Sequence, residues 1–170
     1  MSRTATKPGP LPIDSPERRR LPPLLRRAWY GLNQAFRRRI AHLGITPDQF
    51  TVMRILLEND ESGITQRELT QFMSSDPNTV ASLVERMETG GLLARKTHET
   101  DRRARRIQLL PGGKRKYETA RELAIALQAE VLTVLPEEQQ EEFLENLARV
   151  AEACRTAAVN RSKREKQRGP

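Results

Sequence analysis

TQRELTQFMSSDPNTVASLVERMETGG, residues 65–91, followed by LLARKTHETDRRARRIQLL, residues 92–110, is the stretch whose reading decides the fold. Thr65-Gln66-Arg67-Glu68 has the spacing of a capping box, in which the hydroxyl and the carboxylate each satisfy an orphan amide of the first turn. The short helix it opens carries Leu69, Phe72 and Met73. After Ser74-Ser75, Asp76-Pro77 reads as a second N-cap with proline in the first turn. Val80, Leu83, Val84 and Met87 follow at helical spacing, and Gly90-Gly91 ends the run. Two short helices joined by a few residues predict a helix-turn-helix. Leu92–Thr97 and Arg105–Leu110 then read as two strands around the polar connection His98–Ala104, with Ile107 and Leu109 on one face. Residues 95–106 hold Arg95, Lys96, Arg102, Arg103, Arg105 and Arg106 against Glu99 and Asp101, a local charge of +4. A helix pair followed by an arginine-rich hairpin suits a DNA partner. The start of the second helix would reach base edges in the major groove, and the hairpin would meet phosphate or the minor groove.

Total charge is weaker evidence than it looks. The 170-residue chain has a formal net charge of +8, which favours a polyanionic partner. Residues 1–23 carry +3 of it and residues 157–170 carry +4, so the part between is close to neutral. The hairpin is therefore the informative basic element. Cys154 is the only cysteine, which excludes an intramolecular disulfide. It and the two histidines show no metal-ligand spacing, and no cofactor motif is visible. There is no nucleophile–base pairing, carboxylate dyad or phosphate loop, so an enzyme is not expected. No segment approaches the ~20 apolar residues of a membrane span. No membrane partner is expected, and a cytoplasmic location is the default.

Working outward, residues 1–23 hold six prolines and little that can pack, and read as a disordered basic arm. From Leu24 to Gly44 an apolar stripe through Leu25, Trp29, Leu32, Phe36 and Leu43, with Ala28 and Ile40 beside it, predicts a helix. Thr46-Pro47-Asp48-Gln49 is another capping box and opens a helix to about Asn59; Asp60–Gly63 reads as a turn. Pro111-Gly112-Gly113 should break the second strand and lead into a long helix. Its seam is Tyr117, Ala120, Ala124, Leu127, Val131 and Val134. Beyond Pro136, Phe143, Leu144, Leu147, Val150, Ala151 and Cys154 mark a further amphipathic helix with an acidic start. These stripes exceed what a small lobe can cover, which points to a homodimer interface built from both ends of the chain. Residues 157–170 read as a disordered basic tail.

Taken together, ITPDQFTVMRILLEN, GITQRELTQFM, DPNTVASLVERMETGGLLAR and DRRARRIQLL resemble the MarR family of winged helix-turn-helix transcriptional regulators, over roughly Leu24 to Cys154. The resemblance implies a mainly α fold with a small β-hairpin wing. Residues 45–110 would form the DNA-binding lobe, and 24–44 with 111–156 the dimerisation helices, within one domain of 24–156. It also implies a homodimer reading a palindromic double-stranded DNA operator, most often as a repressor. Arg103 would enter the minor groove, oriented by Asp101, with Arg102 and Arg105 beside it and Arg86 in the same ionic network. Asn78, Thr79 and Ser82 would face the major groove, and Thr65 and Gln66 would offer donors to a phosphate. Many relatives are released by small aromatic or phenolic acids, for which Trp29, Tyr30, Phe36, Phe50, Met53 and Arg54 are the candidate lining. Ser82 stands where arginine is common, and Leu110-Pro111 replaces the usual capped end of the wing. No cysteine lies near the first helix, so thiol sensing is not expected, and Cys154 is expected in the dimer interface. The alternative is a structural nucleic-acid binder that uses its basic tails without sequence preference.

Overall fold

A computed structural model of the chain describes residue 15 and residues 18–59, 62–97 and 105–167. The order is α1 (Leu21–Ile40), a 3-10 turn (Ala41–Leu43), α2 (Pro47–Glu58), β1 (Ile64–Thr65), α3 (Gln66–Met73), α4 (Pro77–Thr89), β2 (Leu93–Thr97), β3 (Arg105–Leu109), α5 (Pro111–Leu132) and α6 (Glu137–Gln167). The chain is mainly helical, with one small antiparallel sheet. It forms two compact units, Met1–Ala124 and Ile125–Pro170.

In the first unit the caps act as their sequences require. Thr46 and Gln49 complete a reciprocal capping box at the start of α2, and Thr65 and Glu68 complete another at the start of α3. Asp76 Oδ1 accepts from the Asn78 and Thr79 amides at 2.9 and 3.1 Å. The turn between α3 and α4 hinges on Ser74, a non-glycine residue at φ +48° that closes α3 by donating its amide to Gln71 O. α2 packs on α3, α4 and β3, and α4 packs on β2. Met53, Leu69, Val80, Val84, Met87, Leu93 and Ile107 are buried there almost completely. Full burial of such side chains contributes about 1.5–3 kcal/mol each before chain entropy is counted.

The hairpin is one part of a three-stranded sheet in the order β1-β3-β2. The edge strand β1, only two residues long, lies between the expected turn at 60–63 and the helix that Thr65 opens, and spacing does not predict it. Ile64 pairs with Ile107 and Thr65 with Arg106. Leu93 pairs with Leu109 and Thr97 with Arg105 at the ends of the β2–β3 ladder. Gly63 leads into β1 at φ +87°, and a Cβ there would lie 2.5 Å from the Ile107 carbonyl oxygen. Glycine is required at this point by both backbone conformation and space.

Helix takes in the inner margin of the expected arm and most of the expected tail; residues 1–14, 16 and 17 of the arm lie outside the described residues. α1 begins at Leu21 and takes in Pro22 and Pro23, because the first amides of a helix have no intrahelical partner and proline loses nothing there. α6 continues to Gln167, well past residue 157. That stretch is rich in alanine, lysine, arginine and glutamate, which favour helix, and its basic residues suit the negative end of the helix dipole. Pro111, Gly112 and Gly113 end the strand and lead into the long helix, as expected. They form the first turn of α5, with the Lys114 amide donating to Leu110 O at 3.0 Å. Proline at the first helical position replaces the missing cap.

Two glycine substitutions are expected to act with opposite sign. Gly63→Ala should lower unfolding stability by about 3 kcal/mol or more, since a strained φ is added to a backbone clash. Ser74→Gly should leave it unchanged or raise it by up to about 1 kcal/mol, since it relieves a left-handed residue with a Cβ. Urea unfolding of both variants against the parent chain checks the pair.

Candidate nucleic-acid interface

α4 presents two chemically distinct faces. Val80, Leu83, Val84 and Met87 are buried, whereas Asn78, Thr79, Ser82 and Arg86 are exposed. At 3.6 residues per turn the exposed set spans an arc of about 100°, opposite the buried set. The face carries amide, hydroxyl and guanidinium groups, the side chains that hydrogen-bond to base edges. The amides of Asn78 and Thr79 are already taken by Asp76, whose carboxylate also occupies the positive end of the helix. At this end of α4 the side chains, not these two amides, are therefore free to meet a partner.

The start of α3 forms the capping box its sequence predicts. The Thr65 amide and hydroxyl both donate to Glu68 Oε2, at 2.7 and 2.8 Å, and the Glu68 amide returns to Thr65 Oγ1 at 3.2 Å. Thr65 thus has its donors engaged within the capping box, and a phosphate at this helix start would be met by Gln66 and exposed Arg67. Glu68 is held below the ordinary carboxylate range, chiefly by the Thr65 amide and hydroxyl, with Arg106 adding a smaller attraction.

Within the sheet the arginines divide into two groups. Arg95 turns inward to Glu88 at the end of α4, with Nη1 at 2.6 Å from Oε2 and its amide donating to Oε1 at 3.1 Å. Arg106 also turns inward. Its Nη1 donates to Gly63 O at 2.6 Å and to Ser62 Oγ at 3.2 Å. Arg105 and Lys96 are exposed. The local +4 of the wing therefore overstates what a polyanion would meet, because Arg95 and Arg106 hold the lobe together. Asp101, Arg102 and Arg103, and the proposed link of Arg86 to Asp101, lie outside the described residues.

The six candidate ligand residues fall into two environments. Phe36, Phe50 and Met53 are buried, whereas Trp29 and Tyr30 are 63% and 60% exposed on α1. Phe36 meets Phe50 edge-on at 4.9 Å, Phe50 stacks on Tyr117 at 5.2 Å, and the exposed Arg54 guanidinium lies 4.9 Å from the Phe50 ring centre. Tyr117 belongs to this cluster and was missed, having been assigned to a dimer seam by its spacing alone. A cleft of about 310 Å³ lies elsewhere, lined by Leu56, Leu57, Asn59, Gly63, Gln108, Leu109 and Lys114, and includes none of the six.

A helix-turn-helix with a polar outer face, braced by a basic β-wing, defines a winged-helix DNA-binding protein. Residues 43–104 match the MarR family. Over 127 residues the chain is 30% identical to the transcriptional regulator HosA of Escherichia coli, covering 72% of this chain and 93% of HosA. It is 28% identical over 121 residues to the HTH-type transcriptional repressor MdtR of Bacillus subtilis, covering 71% of this chain and 77% of MdtR. The fold superposes on that of MepR from S. aureus, solved as a DNA complex, with a TM-score of 0.70 at 22% identity, over 76% of this chain and 95% of MepR. The chain belongs to the MarR family of winged-helix transcriptional regulators and binds DNA as one.

The Glu68 cap makes a pH-dependent contribution to stability. Its folded-state pKa lies below its unfolded value, so the stabilisation is fully present above the ordinary carboxylate pKa and is lost as pH falls through the folded value. Glu68→Gln should lower the thermal midpoint most near neutral pH, and the gap to the parent chain should close below about pH 4. An equal gap at about pH 7 and about pH 3 would show that the carboxylate charge plays no part.

Proposed function

We propose that the chain is a repressor that binds a palindromic operator as a homodimer and is released by a small aromatic acid. The observation that carries the DNA reading is the α4 face, with Asn78, Thr79, Ser82 and Arg86 exposed above a fully packed apolar side. In this reading those residues meet base edges, Gln66 and Arg67 meet a phosphate, and the wing arginines 102, 103 and 105 follow the adjacent minor groove, Arg103 most deeply and with Asp101 orienting it. Arginine suits that groove because its charge is weakly hydrated and its donors are planar. The name of MdtR supports repression over activation.

The dimer is supported by apolar surface that a single chain leaves open. On α1, Leu21, Leu24, Trp29 and Leu32 are all between 46% and 63% exposed. In the second unit Val134, Phe143 and Leu147 are exposed as well, and so is Cys154. A second copy covering such faces would place two winged lobes on one duplex, which is the geometry a palindrome requires. The effector class rests on Arg54, an exposed cation beside the Phe36–Phe50–Tyr117 cluster, which could pair with a carboxylate while an aromatic ring meets α1. Release would follow if the acid binds better to a lobe spacing that does not match the half-sites.

Two measurements test this reading. Arg103→Ala should weaken operator binding and reduce the slope of log affinity against log salt by about one unit per wing engaged. An unchanged affinity and slope would remove the wing from the interface. For the effector, benzoate should release the operator complex whereas benzamide, which keeps the ring and loses the charge, should not. Equal effects would contradict a carboxylate-reading site.

A further inference from the structure

Arg106 stands out because its position contradicts its chemistry. It lies in the basic wing strand, where an exposed arginine could serve a polyanion, yet its side chain is folded into the lobe. Nη1 holds the turn before β1 through Gly63 O at 2.6 Å and Ser62 Oγ at 3.2 Å. Its Nε is buried and is without a hydrogen-bond partner among the described residues. A buried donor left unsatisfied is unfavourable, so stability alone is a poor reason for arginine here.

What Arg106 fastens is the joint between the two DNA-facing elements. It pairs across the sheet with Thr65, and Thr65 is at once the last residue of β1 and the N-cap of α3. Glu68, which completes that cap, is drawn to the Arg106 charge. Gly63 lies against the backbone of Ile107, the residue after Arg106, closely enough that no Cβ would fit. The turn is thus pinned to β3 from both sides. In the other direction along the chain, Arg103 lies three residues before Arg106.

We infer that Arg106 is a positioning residue for DNA recognition: it locks the wing strand to the start of α3, so that wing and helix-turn-helix engage the duplex as one body. It need not touch DNA. Without the latch, the wing would have to be ordered at the moment of binding, and Arg103 would contribute less to affinity. The inference rests on the reading that Arg103 contacts DNA, which the test below examines separately.

The test is a double-mutant cycle on the full chain, measuring affinity for an operator duplex selected from random DNA, well below the thermal midpoint of every variant. Arg106→Gln alone should weaken binding about tenfold, a coupling of the size seen within one hydrogen-bond network. In that background Arg103→Ala should have little further effect, although it weakens the parent chain clearly. Arg106→Lys, which keeps the charge and a donor, should restore most of the Arg103 contribution. A purely structural role would lower the midpoint and leave the cycle additive, and additive effects overturn the inference. So does a salt slope reduced by about one with additive effects, which would make Arg106 an ordinary phosphate contact. If Arg103→Ala does nothing in the parent chain, the wing reading itself has failed and there is nothing for Arg106 to position. Should the glutamine variant not fold, Arg106→Met, which keeps the stem and loses the charge and donors, closes the same cycle, with little further effect of Arg103→Ala expected and additivity as the contrary result.

Discussion

The lobe depends on a single residue that belongs to two secondary structures. Thr65 ends β1, paired with Arg106, and its hydroxyl and amide close the capping box of α3 with Glu68. The chain has no slack between sheet and helix at this point. Any movement of the wing strand is therefore imposed on the first turn of α3, and through the packing of α3 on α4 it reaches the outer face of α4. Gly63 and Arg106 make the joint rigid, the first by close approach and the second by hydrogen bonds. A two-residue strand would be marginal alone, and here it is held by the helix it begins.

Charge is distributed to the same end. Arg95 and Arg106 serve the interior of the lobe, where each bridges a strand to a neighbouring element. Lys96 and Arg105 remain outward. Asp76 neutralises the start of α4, so the recognition helix is not drawn to phosphate by its own dipole. On the proposed reading, phosphate attraction then comes from the rim and the wing, and the Asn78, Thr79 and Ser82 side chains are left to discriminate bases. That division suits a protein that must be held by any DNA but stop only at some of it.

Much of the fold was legible in the sequence because its boundaries are written in local chemistry. Thr46, Thr65 and Asp76 each begin a helix, and Gly90 ends α4. What was not legible depended on distant partners. β1 has too few residues to show a period. Nothing near Arg95 or Arg106 in sequence announces that Glu88 and the 62–63 turn will claim them. Thr65 is the cap its sequence predicts, and the bonds that make it one engage with Glu68 the donors that the resemblance offers to a phosphate. Spacing placed Trp29 and Phe36 on one stripe, whereas α2 covers only part of α1, leaving the first exposed and the second buried. Composition also understates the helix at Leu21–Pro23 and beyond residue 157, because proline is harmless in a first turn and a charged run can still be helical.

The central claim is that the outer face of α4 reads base sequence. Selection from random duplex DNA, run with the full chain and with the chain carrying Asn78→Ala, Thr79→Ala and Ser82→Ala, tests it most directly. The full chain should enrich an inverted repeat, while the triple variant should lose that enrichment yet keep salt-dependent binding to bulk DNA. The same motif from both chains, or no motif from the full chain, would contradict the account.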